Sequence, residues 1–150
     1  MLLKRAEAQF ELSTLDYAQL ASFRHALREF LRFSEAAAAQ EGLTSQYYQA
    51  MLILRGWPDG LPISINDLAH QLLIKHNSAV GLVDRLANER LVVREASTVD
   101  RRKVELRLSP RGRQVLAKLA AMHRDELRRI GPIMKRFFSE LTHGRGTSGV

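Results

Sequence analysis

Apolar residues recur at helical spacing along the first third of the chain. After Leu15, the positions Leu20, Phe23, Leu27 and Phe30 follow one another at steps of three or four residues, and Leu31 lies four residues after Leu27, which is the period of one helix face. The alanine-rich stretch "SEAAAAQEG" extends this helix until Gly42 ends it. A second helix is predicted at "TSQYYQAMLILR". The segment "GWPDG" then breaks the chain, because two glycines and a proline do not fit within one regular element.

Two further helices are predicted after this break. Ser64 and Asp67 have the spacing of a capping box, so the first of them begins near residue 65, and it ends where "LLIKHN" loses the pattern. The next helix has two distinct faces. Its apolar face holds Ala79, Leu82, Val83 and Leu86, and its polar face holds Asn77, Gly81, Asp84 and Asn88, flanked by Ser78 and Arg85.

The hydrophobic period then changes from that of a helix to that of strands. "LVVREA" is β-branched, and "KVELRLS" alternates strictly, so each predicts a strand. Because "STVDRR" separates them, the pair is predicted to form a hairpin with a charged tip. The alternation predicts that Val104, Leu106 and Leu108 face inward and that Lys103, Glu105 and Arg107 face outward.

A long helix is predicted to follow the hairpin. Ser109 supplies an N-cap oxygen, and Pro110 suits the first helical position, where no N–H is needed. We expect an interruption at Gly131-Pro132, after which the helix resumes to about Leu141. Residues 1–12 are weakly patterned, and residues 143–150 are predicted to be a disordered tail.

Composition narrows the class of protein. The 150 residues suit one domain, and the absence of cysteine excludes disulfides, cysteine nucleophiles and Cys-ligated zinc. The net charge of +7 favours an anionic partner, nucleic acid before a membrane surface. No apolar run approaches the roughly 18 residues of a membrane span, and no signal peptide is evident, so we expect a cytoplasmic protein.

The sequence shows no evident motif of a metal site or of a catalytic site. The five histidines never occur as HxxxH or HxH, so no metal site is predicted. The nucleophile-elbow, P-loop and dinucleotide-binding glycine patterns are also missing from the sequence. We therefore expect neither an enzyme nor a cofactor.

The order of elements is typical of a winged helix-turn-helix, in which two short helices are followed by a basic hairpin. Over roughly residues 14–142 the chain resembles the MarR family of transcription regulators. The residues that carry the resemblance are "LAHQL", "VGLVDRLANERLVVRE" and "DRRKVELRLSPRG". It implies a mainly α fold with a small β-hairpin in a single domain of residues 1–150. Residues 44–109 would form the winged helix-turn-helix lobe, and residues 14–42 and 110–142 the helical dimerisation lobe.

The resemblance also implies a function. It predicts a homodimer that binds a pseudo-palindromic operator in double-stranded DNA and acts as a repressor until an effector releases it. Asp100 and Arg102 match the family's Asp-x-Arg wing motif, in which the arginine enters the minor groove and the aspartate helps to hold the wing. A guanidinium suits a narrow groove of focused negative potential. Arg101 and Lys103 are then expected to face phosphates.

The longer helix of the motif is the predicted recognition helix. Base contacts are expected from Asn77, whose amide suits adenine, and from Ser78. The sequence departs from the common family pattern at Leu73, where glycine is frequent in the turn, and at Gly81, which lacks a side chain but permits close approach to DNA. The remaining candidates are Lys75 and His76 at the helix start and Arg85 near the DNA backbone; alternatively His76 is only a surface residue, and Arg85 pairs with Glu89.

A separate set of residues is the candidate effector site. The family commonly binds small aromatic or phenolic anions in a crevice between its two lobes. The alternative interpretation is that the aromatic residues pack in the core and that the arginine is a surface residue. The candidate set consists of His25, Arg28, Tyr47, Tyr48, Met51 and Trp57.

Two rival functions are compatible with parts of the sequence. The helical lobe would suit a dimeric adaptor of protein–protein contacts, and "HRDELRRIGPIMKRFF" would suit a membrane-surface helix. The apolar positions of that stretch are explained more simply as a dimer core. The Asp-x-Arg wing favours DNA over both rivals.

Overall fold

The chain forms five helices and one antiparallel hairpin within residues 12–143, which the structure, a computed structural model, describes with side chains to residue 140. None of these helices is long and apolar enough to cross a membrane. The elements are α1 (Thr14–Gln40), α2 (Ser45–Gly56), α3 (Ile65–Leu72), α4 (His76–Asn88), β1 (Val92–Ala96), β2 (Val104–Leu108) and α5 (Pro110–His143). The predicted fold class, mainly helical with a small hairpin, is confirmed.

The chain divides into two compact units. Unit 2 is Ser34–Arg124 and contains all of the predicted helix-turn-helix and hairpin; unit 1 consists of Met1–Phe33 and Asp125–Val150. The last residues of α1 and the first half of α5 therefore belong to unit 2. The weakly patterned residues 1–11 and the predicted tail, apart from its first residue, lie outside the described residues.

The core of unit 2 forms around the predicted apolar face of α4. Ala79, Leu82, Val83 and Leu86 are all fully buried, which confirms that face. They pack with other fully buried large side chains, each of which stabilises the fold by about 1.5–3 kcal/mol. These side chains are Met51, Leu68, Leu91 and Leu119.

Helix α3 begins where the sequence predicts. The hydroxyl of Ser64 accepts from the amide of Asp67 at 3.2 Å, and a carboxylate oxygen of Asp67 accepts from the amide of Ser64 at 2.8 Å. This reciprocal pair is a complete capping box. Two otherwise unpaired amides are satisfied, so the start of α3 is well defined.

The turn between α3 and α4 places Leu73 in the left-handed conformation, with φ 55° and ψ 41°. Its amide donates to the carbonyl of His70 at 3.2 Å, and the amide of Ile74 donates to that of Ala69 at 3.0 Å. These bonds end α3 in the way that a glycine usually does. The turn therefore keeps its geometry although a leucine, 89% exposed, occupies it.

We expect replacement of Leu73 by glycine to stabilise the chain by about 0.5–1 kcal/mol. Left-handed backbone costs a residue with a Cβ about 1–2 kcal/mol, and the greater freedom of glycine in the unfolded chain offsets part of the gain. Denaturant unfolding measures the change. Leu73→Ala is the control, since it removes the exposed side chain but keeps the Cβ, and it should change little. A loss of stability in Leu73→Gly would contradict the assigned backbone conformation.

Strands β1 and β2 pair in antiparallel register from Val92↔Leu108 to Ala96↔Val104. The predicted inward residues Leu106 and Leu108 are buried, but Val104 is 42% exposed. The prediction for Val104 is wrong because this pair lies at the outer end of the hairpin, beyond the core, where its partner Ala96 is also exposed.

Helix α5 begins where α4 and the hairpin meet. The hydroxyl of Ser109 accepts from the amide of Gly112 at 2.9 Å and donates to the carbonyl of Arg90 at 2.6 Å, which confirms the predicted cap. The amide of Ser109 donates to the carbonyl of Leu91 at 3.0 Å. A Cβ on Gly112 would clash with that carbonyl oxygen and lie 3.0 Å from its carbon. Only glycine fits here.

The predicted interruption of the last helix at Gly131-Pro132 is wrong, since α5 continues through Pro132 to His143. An interior proline removes one helical hydrogen bond and crowds the carbonyl four residues before it, at a cost of about 3 kcal/mol, which the rest of the helix must offset. The residues around it favour helix, and packing within unit 1 holds the later turns in place. Phe137 stacks on Phe23 of α1 with ring centroids 4.8 Å apart, and Gln19 donates to Glu140 at 3.2 Å.

Candidate nucleic-acid interface

The exposed face of α4 carries most of the predicted recognition residues. His76, Asn77, Ser78 and Arg85 are exposed, while the opposite face is buried in the core of unit 2. Lys75 is the N-cap and makes no side-chain capping bond. The first turn of α4 therefore presents polar side chains and unpaired backbone amides to solvent, which is how a recognition helix meets base edges and phosphates.

His76 is held by the preceding helix. Its Nδ1 lies 2.5 Å from Oδ1 of Asn66 on α3. An amide oxygen can only accept, so Nδ1 carries the hydrogen and the other ring nitrogen remains for a further contact. His76 is both a surface residue at the helix start and a fixed donor or acceptor beside Asn77.

On α4, the side chain of Arg85 lies beside Gly81. Nη1 of Arg85 lies 3.4 Å from the position that a Cβ on Gly81 would occupy. The guanidinium therefore folds back over the glycine. The alternative ion pair of Arg85 with Glu89 does not form among the described side chains.

The wing is the loop of residues 97–103 between β1 and β2. The buried Ser97 organises it, since its hydroxyl accepts from the amides of Val99 and Asp100, both at 3.2 Å. Asp100 then accepts from the amide of Arg102 at 3.0 Å through its carboxylate and from that of Lys103 at 2.9 Å through its carbonyl. Asp100, the acidic residue of the predicted wing motif, therefore shapes the turn that carries the cations.

Three consecutive cations occupy this turn. Arg101, Arg102 and Lys103 are all exposed, and none of them forms an ion pair with a carboxylate of the described chain. Exposed cations that are not neutralised locally attract phosphates. The wing thus supplies a concentrated positive charge at the end of a short hairpin.

The fold brings the start of α4 and the wing together. His76, Arg102 and Lys103 line one cleft of about 540 Å³, together with Asn66 and Asp67 of α3. These candidates are distant in sequence but adjacent in space. The cleft combines two cations of the wing with the imidazole of His76, and the carboxylates of Asp67 and Glu105 face the same space.

Comparison with known proteins assigns the family. Residues 41–103 match the family model described as MarR family. The chain is also 30% identical over 105 residues to a transcriptional regulatory protein for the hcr operon of Thauera aromatica, in a match that covers 69% of this chain and 61% of that protein. The chain belongs to the MarR family.

Solved structures of the MarR fold superpose on the chain. AbsC of Streptomyces coelicolor, described as a MarR family transcriptional regulator, is 22% identical with a TM-score of 0.69, covering 91% of this chain and 99% of that chain. The MepR F27L mutant of S. aureus, bound to an oligodeoxyribonucleotide, is 19% identical with a TM-score of 0.61, covering 88% of this chain and 95% of that chain. At these identities the likeness concerns the fold.

The candidate interface includes an ion pair that sequence analysis missed. Arg94 of β1 pairs with Asp84 on the exposed face of α4, so the hairpin is tied directly to the predicted recognition helix. Arg107 of β2 pairs with Glu95 of β1 at 2.6 Å, across the two strands. Nothing in the sequence indicated Arg94, since pairing between a helix and a strand has no fixed spacing along the chain.

The predicted effector residues divide between the two units of this MarR-family chain. Tyr48 and Met51 are buried in unit 2, and burial raises the pKa of the Tyr48 hydroxyl. Tyr48 stacks on the buried His123 with centroids 4.0 Å apart. His25, which lies 3.5 Å from Glu29, and Arg28 are exposed in unit 1. Tyr47 and Trp57 are half-buried in unit 2, and the joint effector site stays a prediction.

Proposed function

We propose that this MarR-family chain is a sequence-specific DNA-binding transcription regulator. Helix α4 enters the major groove of an operator, and the wing contacts the flanking minor groove and its phosphates. The observation that carries the proposal is the convergence of His76, Arg102 and Lys103 on one cleft, where the wing cations form no ion pair with any described carboxylate. A helix with a polar outer face suits the major groove, and an arginine on a hairpin suits a narrow minor groove.

We further propose that the regulator acts as a homodimer on a pseudo-palindromic operator and represses until an anionic effector releases it. A dimer doubles the number of grooves that are contacted and matches the symmetry of the site to that of the protein. Support for the dimer comes from unit 1. Large apolar side chains of α1 and α5 are 42–67% exposed there, among them Leu15, Leu20, Leu27, Leu127, Ile133 and Phe138.

The dimer is expected to depend on this apolar surface of unit 1. Exposed apolar patches of this kind are typical of protein interfaces. Sedimentation of the purified chain at micromolar concentration should show a dimer, and Leu20→Glu should shift it toward monomer. Leu61→Glu, at an exposed leucine of unit 2, is the matched control and should leave the dimer intact. A monomeric wild-type chain would overturn the proposed assembly.

The direct test of sequence-specific binding uses Asn77. An operator is first selected from a pool of random duplexes, and binding is then compared on this duplex and on a scrambled one. If Asn77 contacts a base edge, Asn77→Ala should lose ~1–3 kcal/mol on the operator and little on scrambled DNA. Asn88→Ala, at the exposed far end of α4, is the matched control. Equal losses on both duplexes would contradict a base contact by Asn77, and failure to select any duplex would overturn the proposed function.

A further inference from the structure

The turn between α3 and α4 presents a leucine to solvent from an unfavourable backbone. Leu73 has the most exposed large apolar side chain among the described residues, and its φ of 55° is left-handed. Left-handed backbone is unfavourable for any residue with a Cβ, and an apolar side chain left in water adds nothing to folding. Two unfavourable features therefore coincide at Leu73, and a side chain so exposed has almost no contact within the fold that could offset them.

The other non-glycine residue with a positive φ in the described chain has a structural explanation. Arg90, with φ 57°, follows α4, and its carbonyl accepts from the hydroxyl of Ser109 at 2.6 Å. Its side chain is charged and exposed, so solvent suits it. Positive φ closes a helix end at both positions, but only at Leu73 does it present a large apolar group to solvent.

The turn holds Leu73 in a defined position. The amides of Leu73 and Ile74 donate to the carbonyls of His70 and Ala69, at 3.2 and 3.0 Å. Leu72 and Ile74 are half-buried, so the chain is anchored on both sides of the exposed side chain. Residues that their surroundings hold in a strained backbone cluster at sites of ligand contact. The combination of strain, exposure and anchoring therefore suggests that Leu73 has a partner outside the chain.

Leu73 lies beside the residues that are proposed to enter the major groove. It comes two residues before Lys75, the N-cap of α4, so their Cα atoms are at most about 7 Å apart. His76 and Asn77 follow directly and are exposed. Because the major groove is about 12 Å wide, a helix that inserts its first turn there brings the preceding turn to the rim of the groove. The side chain of Leu73 then lies against DNA.

Thymine is the base that offers an apolar group in the major groove. Its 5-methyl group projects there, whereas the major-groove edges of the other three bases are distinguished by hydrogen-bond donors and acceptors. A leucine side chain can neither donate nor accept a hydrogen bond, so it gains nothing from those polar edges. Contact with the methyl group removes apolar surface of both partners from water.

We propose that Leu73 is an apolar base contact, which packs against the 5-methyl group of a thymine at the rim of the major groove and adds a preference for thymine at that position. The inference rests on the proposed DNA-binding function and deepens it. Glycine at this turn would give the same helix end with a more favourable backbone, but it would lack the contact. Leucine is therefore explained by binding and not by folding.

The experiment compares duplexes with and without thymine methyl groups. A duplex is selected from a random pool with the wild-type chain, and each thymine in it is replaced in turn by uracil, which pairs identically but lacks the methyl group. For the wild-type chain, at least one replacement should weaken binding by about fourfold, the value for one buried methyl group. Fluorescence anisotropy of the labelled duplexes measures each affinity.

Variants of Leu73 assign this response to the leucine. Leu73→Gly and Leu73→Asn both suit left-handed backbone. Each should bind the selected duplex about tenfold more weakly, the value for losing one large apolar contact, and should no longer respond to the uracil replacement. Leu73→Met keeps an apolar side chain of similar volume and should retain the response. Leu52→Gln, at an exposed leucine of α2, is the matched control and should change neither quantity.

A leucine with only a structural role would change stability and affinity in the same direction. Leu73→Gly is instead expected to raise the free energy of unfolding while it lowers the affinity for the duplex. Unchanged affinity in Leu73→Gly and Leu73→Asn, or a methyl response that persists in both, would overturn the inference and leave the proposed function intact. So would a wild-type chain that is indifferent to every uracil replacement. Failure to select any duplex would overturn the proposed function and this inference together.

Discussion

Gly112→Ala is expected to destabilise the chain by about 3 kcal/mol or more, because the new methyl group has no space to enter. The first turn of α5 approaches the backbone of Leu91 so closely that an added Cβ would overlap the carbonyl oxygen and lie 3.4 Å from a methyl of Leu108. The carbonyl is held by the amide of Ser109 and cannot turn away without breaking that bond. Helix α5 would have to move away from the end of α4 and from β2.

Thermal and denaturant unfolding measure this effect, and a loss of this size lowers the Tm by roughly 10 °C in a chain of this length. Gly56→Ala is the matched control, since a Cβ at Gly56 meets nothing within 4 Å. Its stability should change by less than about 1 kcal/mol. If Gly112→Ala were as stable as the control, the close approach of α5 to Leu91 would be wrong.

Removal of the three wing cations is expected to weaken operator binding by about 100-fold at physiological salt and to lower the slope of log affinity against log salt by roughly 3. The side chains of Arg101, Arg102 and Lys103 are exposed and form no ion pair with the part of the chain that the structure describes, so their replacement by alanine leaves no buried charge behind. Each cation that neutralises a phosphate releases a counterion, and this release is lost in the triple variant. Fluorescence anisotropy of a labelled operator over a salt series measures both quantities.

The matched control for the wing removes the same charge elsewhere. Arg55, Arg111 and Arg113 are exposed cations of unit 2 that do not line the cleft of His76, Arg102 and Lys103, and their triple alanine variant has the same net charge as the wing variant. It should lose much less affinity, because charges outside the contact surface are screened within about 10 Å. Equal losses in the two triple variants would show that net charge, and not the wing, drives binding.

Local patterns determined most of what the sequence predicted correctly. The capping box of Ser64 and Asp67, the cap of Ser109 and the apolar face of α4 depend on residues within one or two turns of each other, and such spacing is visible in the chain itself. The same holds for the alternation that predicted the hairpin and for the run of cations at its tip. The family motifs consist of these same local signals, so the fold class and the position of the candidate interface could be predicted together.

Local patterns also misled where packing decided the outcome. Gly131-Pro132 has the composition of a helix end, yet the stack of Phe137 on Phe23 retains the helix beyond it. Val104 continues the alternation of β2, yet it lies past the edge of the core. At Gly131-Pro132 a contact with a residue distant along the chain outweighs the local preference, whereas at Val104 the core ends before it can bury the side chain.

The sequence by itself determined the helices, their caps, the hairpin and its run of cations, because periodicity, caps and charge are properties of neighbouring residues, and its motifs resembled those of the MarR family. Only the tertiary structure decided which side chains meet. It paired Arg94 with Asp84 and set His76 against Asn66. Such contacts join elements whose separation along the chain has no fixed value, and they depend on how the elements pack in unit 2.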